Sequence, residues 1–397
     1  MAPFSARLTD TVGVTPHLLT PDFAISKPLW VPSGARGVFG GQVIAQSLAA
    51  SARTIYPPLG LHSMHCYFLL PAFAHPDIEY RVERLRDGKS YSNRLVRAYQ
   101  GDREVFVLLA SYTVPPTILP ENFGASTLGE TSDTKQQDKM KVSHTLRFSL
   151  SQSEAKSPKG KRKMGASTVK ANYQTPFPPN LKPYEECYPE EDRWQKFFDE
   201  KCKDWTGARR RFLEEYIRER RESPVGISRA RFNGREESQY SDAEDGVQNT
   251  RMSWLRARLD PTEKPDTETV KAMIAYMTDF QFIGTASRSV GLHQSSSPRI
   301  GMLASLDHSI HFYPFPDDFD PSAPLLHVME SQSVNVGSGR GVVQGSVYTQ
   351  EGILIAVTAQ EGVVRADLRG LEARGLIEGG AVGEDKEEGL KKREAKL

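Results

Sequence analysis

The stretch HSMHCYF, His62–Phe68, has a near copy in HSIHFYP, His308–Pro314. A sequence that repeats itself is built from a repeated structural unit, so this echo bears on the fold before any single residue does. Each copy is followed by the same kind of text. After the first comes IEYRVERLRDGKSYSNRLVRAYQGDREVFVLLASY, Ile78–Tyr112; after the second, LLHVMESQSVNVGSGRGVVQGSVYTQEGILIAVTAQEG, Leu325–Gly362. Both read as three β-strands in series. Their turns fall at Arg86-Asp87-Gly88, Gln100-Gly101-Asp102, Gly337-Ser338-Gly339 and Gln350-Glu351-Gly352. Ahead of each copy lies an apolar helical segment: GGQVIAQSLAASARTI, Gly40–Ile55, and DTETVKAMIAYMTDF, Asp266–Phe280. One apolar helix followed by a long antiparallel meander predicts a sheet wrapped around a central helix, an α+β unit. Two copies predict two such units packed as one body.

The rest of the chain is ordered around these copies. It has 397 residues, 38% hydrophobic and 25% charged, a length for two or three domains with a polar remainder. That remainder is concentrated between the halves, where polar, Lys- and Ser-rich text that ends in prolines runs from about Pro120 to Pro183. Its composition predicts a loop or disordered insert. The basic cluster Lys159, Lys161, Arg162 and Lys163 has no interleaved aromatics for base stacking, and reads as a solvated loop rather than a nucleic-acid patch. PEEDRWQKFFDEKCKDW and ARRRFLEEYIRERRESP, Pro189–Trp205 and Ala208–Pro224, read as helices bridging the domains, the second stopped by Pro224. The expected layout is an N-terminal domain over 1–119, insert and helical linker over 120–222, a C-terminal domain over 223–372 and a flexible tail over 373–397.

Charge and cysteine usage narrow the function. A net charge of +1 gives no global field for nucleic acid. Three cysteines, Cys66, Cys187 and Cys202, show no metal-ligand spacing and fit a reducing compartment. No run reaches the roughly 18 apolar residues that cross a membrane, and the N-terminal text has no apolar signal core.

Candidate chemistry then comes from residues that break their local pattern. In GILIAVTAQEGVVR, Gly352–Arg365, a buried strand carries Gln360. A buried amide costs free energy unless something bonds to it. Asp279 ends the second apolar helix. Gly40 and Gly41 open the first, where bare backbone N–H groups and the positive end of the helix dipole suit either a carbonyl gaining charge or tight helix packing. With Gln42 they form a candidate substrate contact. Arg86, Lys89 and Arg94 around one turn, and Arg340 in another, are candidate phosphate partners. Other chemistries fit less well. There is no G-x-S-x-G nucleophile elbow, and Glu83 stands where a phosphate loop ending in Gly88-Lys89-Ser90 needs glycine. Cys66 reads as a core thiol. Asp307 and His308 are strand neighbours and should point to opposite faces, and His308 has an echo in His62, which implies a shared structural role.

VFGGQVIAQSL, HSMHCYFLLPA, LRDGKSYSNR, YMTDF, LDHSIHF and AQEGVVR, in that order across two halves, resemble the type II acyl-CoA thioesterase family, the double hot-dog hydrolases. The resemblance covers about Thr11–Tyr112 and Pro224–Leu368. It implies two fused hot-dog domains, hydrolysis of fatty acyl-CoA to free acid and CoA, and no metal or organic cofactor. It also implies a catalytic set. The aspartate of YMTDF is Asp279, the hydroxyl residue two before the aspartate of LDHS is Ser305, a serine where the family also uses threonine, and the glutamine of AQEG is Gln360. The chemistry of those groups agrees. A thioester is electrophilic enough for a positioned water, which a carboxylate, a hydroxyl and an amide can hold and deprotonate. Non-catalytic acyl-CoA-binding or scaffold proteins could share the fold; the presence of Asp279 and Gln360 favours the hydrolase. A hydratase would need its Asp-His chemistry placed on other residues. Exposed sheets of this kind commonly pair, so a homo-oligomer is possible.

The chain ends KKREAKL, and Ala395-Lys396-Leu397 resembles the S-K-L peroxisomal address. An import receptor reads such a tail as an extended peptide with a captured carboxylate. The expected location is the peroxisomal matrix, as for a peroxisomal eukaryotic member of the family.

Overall fold

A computed structural model describes residues 7–18, 20–115, 174–233, 249–293, 296–335 and 337–368. The Lys- and Ser-rich stretch 126–172, its basic cluster and the tripeptide 395–397 lie outside the described residues.

In the N-terminal half a short helix α1 (Leu8–Val12) and strands β1 (Val14–Pro16) and β2 (Phe23–Ser26) lead to helix α2 (Gly40–Ala52). Strands β3 (Gly60–Phe68), β4 (Glu79–Asp87), β5 (Tyr91–Gln100) and β6 (Arg103–Thr113) follow. Helices α3 (Glu190–Lys201) and α4 (Gly207–Glu222) lie between the halves. The C-terminal half begins with β7 (Val225–Arg229) and β8 (Thr250–Ala257), then α5 (Thr267–Thr278) and a short α6 (Phe282–Arg288). It closes with β9 (Ile300–Ser305), β10 (Asp307–Phe312), β11 (Leu325–Asn335), β12 (Arg340–Tyr348) and β13 (Leu354–Ala366).

The strands form one continuous sheet in the order β1-β2-β4-β5-β6-β3-β10-β13-β12-β11-β8-β7, with β9 on β13. The order on one side of the middle is mirrored on the other, and the repeated stretches are the seam. They pair with each other, antiparallel, from Asp307 opposite Tyr67 to His311 opposite Ser63. The predicted turns fall between β4 and β5, β5 and β6, β11 and β12, and β12 and β13. Gly101, Gly339 and Gly352 take φ of 61°, 61° and 81° there, a region in which a Cβ is costly.

Both central helices are almost wholly buried, α2 from Gly41 to Leu48 and α5 from Val270 to Thr278. A helix apolar all round belongs inside a core, not on a surface. The two lie side by side, and a single apolar cluster joins Val43, Ile44 and Leu48 of α2 to Met273, Ile274 and Met277 of α5 and to both halves of the sheet. Asp266 caps α5 by accepting from the Thr269 N–H at 2.8 Å.

Helices α3 and α4 do bridge the halves. Glu219 of α4 accepts from the Ser33 N–H and hydroxyl of the N-terminal half, while Glu191 of α3 pairs with Arg258 of the C-terminal half. Between them Arg220 lies over the rings of Trp30 and Phe280.

Ile310, fully buried on the seam strand β10, tests whether the seam carries stability. Ile310→Ala is expected to cost about 2–5 kcal/mol, read as a lowered urea midpoint at unchanged slope.

Candidate active site

Asp279 sits at the C-terminal end of α5 and faces the first turn of α2 from the other half. One carboxylate oxygen accepts the Gly41 N–H at 2.7 Å; the other accepts from Gln360 Nε2 of β13 at 2.8 Å. The two glycines that open α2 exist for this approach. A Cβ on Gly41 would lie 2.6 Å from the Tyr276 carbonyl oxygen, and one on Gly40 would lie 2.9 Å from Asp279 Oδ2. Sequence left this helix start open between substrate binding and tight packing. It packs tightly, and the anion on the Gly41 N–H is the protein's own Asp279.

The electrostatics follow from burial. The Asp279 side chain is 6% exposed. Bonds from Gly41 and Gln360 favour the ionised form, each charge-assisted and worth about 1.5–3 kcal/mol, but desolvation outweighs them and the carboxyl is held above its ordinary value. That is the direction a general base needs to work nearer neutral pH. Gln360 is 1% exposed. Its nitrogen donates both to Asp279 and to His308 Nδ1, the latter at 3.0 Å, while its oxygen is buried without a hydrogen-bond partner.

Ser305 reaches this neighbourhood through the ladder. It lies opposite Gly362, and Gly362 shares a strand face with Gln360. Ser305 is half-buried and hydrogen-bonds neither Asp279 nor Gln360.

His308 is the residue that sequence reasoning missed. From Ser305 to Ser309 the chain advances four residues while its partner strand advances three, from Gly362 to Ala359. The extra residue is a β-bulge at Leu306–Asp307. Asp307 turns to accept the Glu361 N–H at 2.6 Å. His308, its side chain fully buried, comes to the same face as Ser305 and Gln360. Strict alternation from Ser305 would have put it on the other side. The echo in His62 also misled. A bulge between Leu61 and Ser63 leaves His62 half-buried against the Ser111 hydroxyl at 2.8 Å. Burial pushes His308 down to about 3, so it is neutral and forms no ion pair with Asp279, whose Oδ1 lies 3.9 Å from Nδ1. Cys66, also buried, is pushed well up, first by burial and then by the Asp279 and Asp307 carboxylates. It is a protonated core thiol.

The substrate-contact candidates divide. Gln42 is a correction: it is fully buried, accepts from the Trp30 N–H at 2.9 Å and donates to the Pro28 carbonyl at 2.9 Å. Its amide fastens backbone, not substrate. Arg94 is a second correction. It is 1% exposed and donates to Thr54, the Arg86 and Asn93 carbonyls and Asp87. A phosphate does not reach it. Arg86 and Lys89 are exposed on the β4–β5 turn. Arg94 ties that turn to Thr54, beyond the end of α2 opposite Gly41, a helix of 13 residues and so roughly 20 Å long. Arg340 is about half exposed and paired with Glu361 at 3.1 Å. A groove of about 700 Å³ lined by Tyr184, Arg256, Lys264 and Asp320 shares no residue with the Asp279 cluster. Among the described residues no three His, Cys, Asp or Glu side chains are placed to hold a metal ion, and no helix is long and apolar enough to cross a membrane.

A doubled sheet curled on paired central helices, with one carboxylate–amide cluster where the halves meet, defines a double hot-dog protein. The chain belongs to the acyl-CoA thioesterase family: residues 27–113 match the family's N-terminal domain model and residues 189–364 its C-terminal domain model. The second match begins at α3, so it takes in both bridging helices. Acyl-coenzyme A thioesterase 8 of Mus musculus is 26% identical over 363 residues, 91% of this chain and 89% of the relative. Acyl-CoA thioesterase 2 of Haemophilus influenzae is 29% identical over 84% of this chain and 89% of its own length. The peroxisomal acyl-coenzyme A thioester hydrolase 1 of Saccharomyces cerevisiae is 35% identical over 99 residues, 24% of this chain and 28% of that protein. Among solved structures, an acyl-CoA thioesterase II from Mycobacterium marinum superposes with a TM-score of 0.52 at 21% identity, covering 91% of this chain and 97% of that one. A hot-dog protein of unknown function from Alicyclobacillus acidocaldarius gives 0.52 at 16% identity, covering 91% and 98%. These place the fold as hot dog.

If Arg94 is structural, Arg94→Ala should lower thermal stability by the equivalent of about 1–3 kcal/mol for each neutral buried acceptor that it leaves unpaired. Arg86→Ala, on the exposed side of the same turn, should stay within about 0.5 kcal/mol of the parent. Melting of the two variants side by side checks the contrast.

Proposed function

We propose that the protein hydrolyses fatty acyl-CoA to free fatty acid and CoA by direct attack of a water on the thioester, with Asp279 as general base. Family membership supports the reaction class, cleavage of an acyl-CoA thioester. The observation that carries the mechanism is the Asp279–Gln360 pair. A buried carboxylate with raised proton affinity lies 2.8 Å from an amide whose oxygen has no partner.

In this reading the water donates one hydrogen bond to Gln360 Oε1 and its other proton to Asp279. Ser305, on the same face, adds a hydroxyl that both donates and accepts. The water oxygen bonds to the thioester carbon, and the carbonyl oxygen takes up negative charge. The N-terminus of α2 at Gly40, one residue before the N–H that holds Asp279, supplies positive dipole there. Collapse breaks the carbon–sulfur bond, and the CoA thiolate leaves with the proton that Asp279 had taken. Of the basic candidates, Arg86, Lys89 and Arg340 are exposed enough to meet CoA phosphates. A non-catalytic acyl-CoA-binding role would account for Asp279 as the acceptor for the Gly41 N–H, but not for the buried, unpartnered Gln360 oxygen beside it.

The finer assignments belong to the same proposal. The domain layout is 1–119, 120–222, 223–372 and 373–397. The tripeptide Ala395-Lys396-Leu397 binds a peroxisomal import receptor, the enzyme acts on fatty acyl-CoA in the peroxisomal matrix, and the exposed sheet face makes a homo-oligomer. The peroxisomal name of the yeast relative, similar over part of the chain, supports the location.

Release of free CoA from a series of acyl-CoA chain lengths measures the activity. Asp279→Ala should lower kcat by about 10²-fold or more while the shared apolar core and the seam pairing keep the chain folded, and Gln360→Ala should act on kcat more than on KM. Turnover by Asp279→Ala near the parent level would remove the mechanism.

The pH profile gives an independent check. The base must be ionised, so activity falls as pH falls through the Asp279 pKa, and the acid limb should lie above the ordinary 3.8. The groups facing Asp279 leave that limb to it: His308 is neutral down to about 3, and the Tyr276 hydroxyl and Cys66 thiol are both pushed up. Gln360 lowers the Asp279 pKa, so the residual activity of Gln360→Ala should show its acid limb at higher pH than the parent.

Location is tested with a fluorescent tag on the N-terminus, with and without Lys396→Glu. Punctate peroxisomal signal should become diffuse in the variant; an unchanged pattern would mean the tripeptide is not the address.

A further inference from the structure

The Gln360 amide has one nitrogen and two hydrogens, and both are engaged, with Asp279 Oδ1 at 2.8 Å and His308 Nδ1 at 3.0 Å. The first bond settles which way the amide faces, because an ionised carboxylate only accepts and so takes the nitrogen, not the oxygen. The second bond settles the imidazole. Its Nδ1 accepts, so the ring proton resides on Nε2. The ring is held in place: its side chain is 0% exposed and packs edge-on against Phe282, centroids 5.4 Å apart. Phe282 is braced in turn by His327 at 5.1 Å. His308 does not compete with Gln360 for the carboxylate, since its Nδ1 lies 3.9 Å from Asp279 Oδ1, beyond a hydrogen bond. Burial keeps the ring neutral, down to about pH 3, so Nδ1 remains an acceptor through the working range.

What this leaves over is Gln360 Oε1 and the His308 Nε2–H, each buried and without a partner. The terminal torsion of a glutamine amide is broad and two-fold when nothing holds it. With both hydrogens tied to different acceptors, the amide cannot turn without breaking one bond or the other, and its oxygen has a single direction.

We propose that His308 is a positioning residue for the hydrolysis: by accepting the second amide hydrogen of Gln360, it aims Gln360 Oε1 at the attacking water. The inference rests on the reading of Gln360 as the group that holds that water. The bulge at Leu306–Asp307 makes the arrangement possible, since without the extra residue His308 would face away from Gln360. The competing account is a histidine that only fills the core beneath Phe282.

The two accounts separate in the full-length protein. His308→Leu and His308→Asn both remove the ring and have the same branched skeleton of four side-chain heavy atoms. Asparagine keeps an acceptor, Oδ1, near the position of Nδ1; leucine has none. His308→Leu should lose about tenfold or more in kcat, up to about 10²-fold, with KM held within about twofold, and His308→Asn should recover most of the loss. Equal losses in both variants, or a loss carried by KM, would overturn the proposal. In a Gln360→Ala background, His308→Leu should lower kcat no further; an additive loss also overturns it.

The single variants Gln360→Ala and Asp279→Ala report separately on the water-holding reading: normal turnover in both removes that reading whatever His308 does. Nitrogen NMR on histidine-labelled parent enzyme decides the geometry even if His308→Leu fails to fold. The expected state is the Nε2–H tautomer with Nδ1 accepting, and the Nδ1 resonance should move in Gln360→Ala. An Nδ1–H tautomer would show that His308 does not hold the amide.

Discussion

The meeting of two helix ends organises this molecule. The Gly41 N–H at the start of α2 donates to the Asp279 carboxylate at the end of α5 across 2.7 Å, joining residues 238 positions apart. Removing a carboxylate from water costs several kcal/mol. Two charge-assisted bonds, from the Gly41 N–H and from Gln360, return about 1.5–3 kcal/mol each and the helix N-terminus up to about 2, yet desolvation remains the larger effect and the anion is not fully compensated. Its raised proton affinity is the remainder. The same contact fixes Gly40 and Gly41 as glycines, brings α2 and α5 side by side, and closes the shared core between the halves. Structure and reactivity therefore depend on one interaction: the group that locks the halves together is the group left poised to take a proton.

The two halves repeat the same fold but not the same chemistry. Ala110 pairs with both Met64 and Arg94; Thr358 pairs with both Ile310 and Gly345. Met64 and Ile310 are equivalent on the seam, so Arg94 stands where the other half has Gly345. A Cβ at Gly345 would come within 2.5 Å of His327 Nε2, so the glycine makes room for the buried histidine beside Phe282. In the N-terminal half the arginine fills that space and hydrogen-bonds the end of α2 through Thr54. Two residues along from Ala110 and Thr358 stand Tyr112 and Gln360. Tyr112 contacts the Ser51 hydroxyl at 2.5 Å, a neutral pair; Gln360 contacts Asp279. The duplicated scaffold thus carries a buried carboxylate and its amide in one half, and in the other a packed plug in which the Arg94 cation is matched by Asp87. Arg94 has no part in phosphate binding because it became part of that plug.

The legible parts of the sequence were those governed by local periodicity. The repeated stretches, the helices, the three-strand meanders and their turns declared two α+β units. Asp279 and Gln360 stood out as polar residues in apolar surroundings, which is a sequence-level signal of a buried group needing a partner. Where that signal failed, a single extra residue or a packing contact was responsible. Asp307 and His308 do point to opposite faces, but the bulge at Leu306–Asp307 breaks the count from Ser305, so alternation does not show that His308 shares a face with Gln360. Gln42 sits in the first turn of α2 like a substrate contact, and only its bonds to the backbone at Pro28 and Trp30 show otherwise.

The sequence by itself determined that this protein is a doubled α+β chain of the acyl-CoA thioesterase family, with an acidic residue ending one buried helix and an amide in one buried strand. Side-chain period and turn chemistry are local properties, readable within a window of a dozen residues. Only the tertiary structure decided that the carboxylate rests on the helix start of the other half, that its amide partner is shared with a neutral histidine, and that one arginine is buried while its neighbours on the same turn are exposed. Those facts depend on the register of paired strands and on the distance between helix ends far apart in the chain, and neither is written in any one segment.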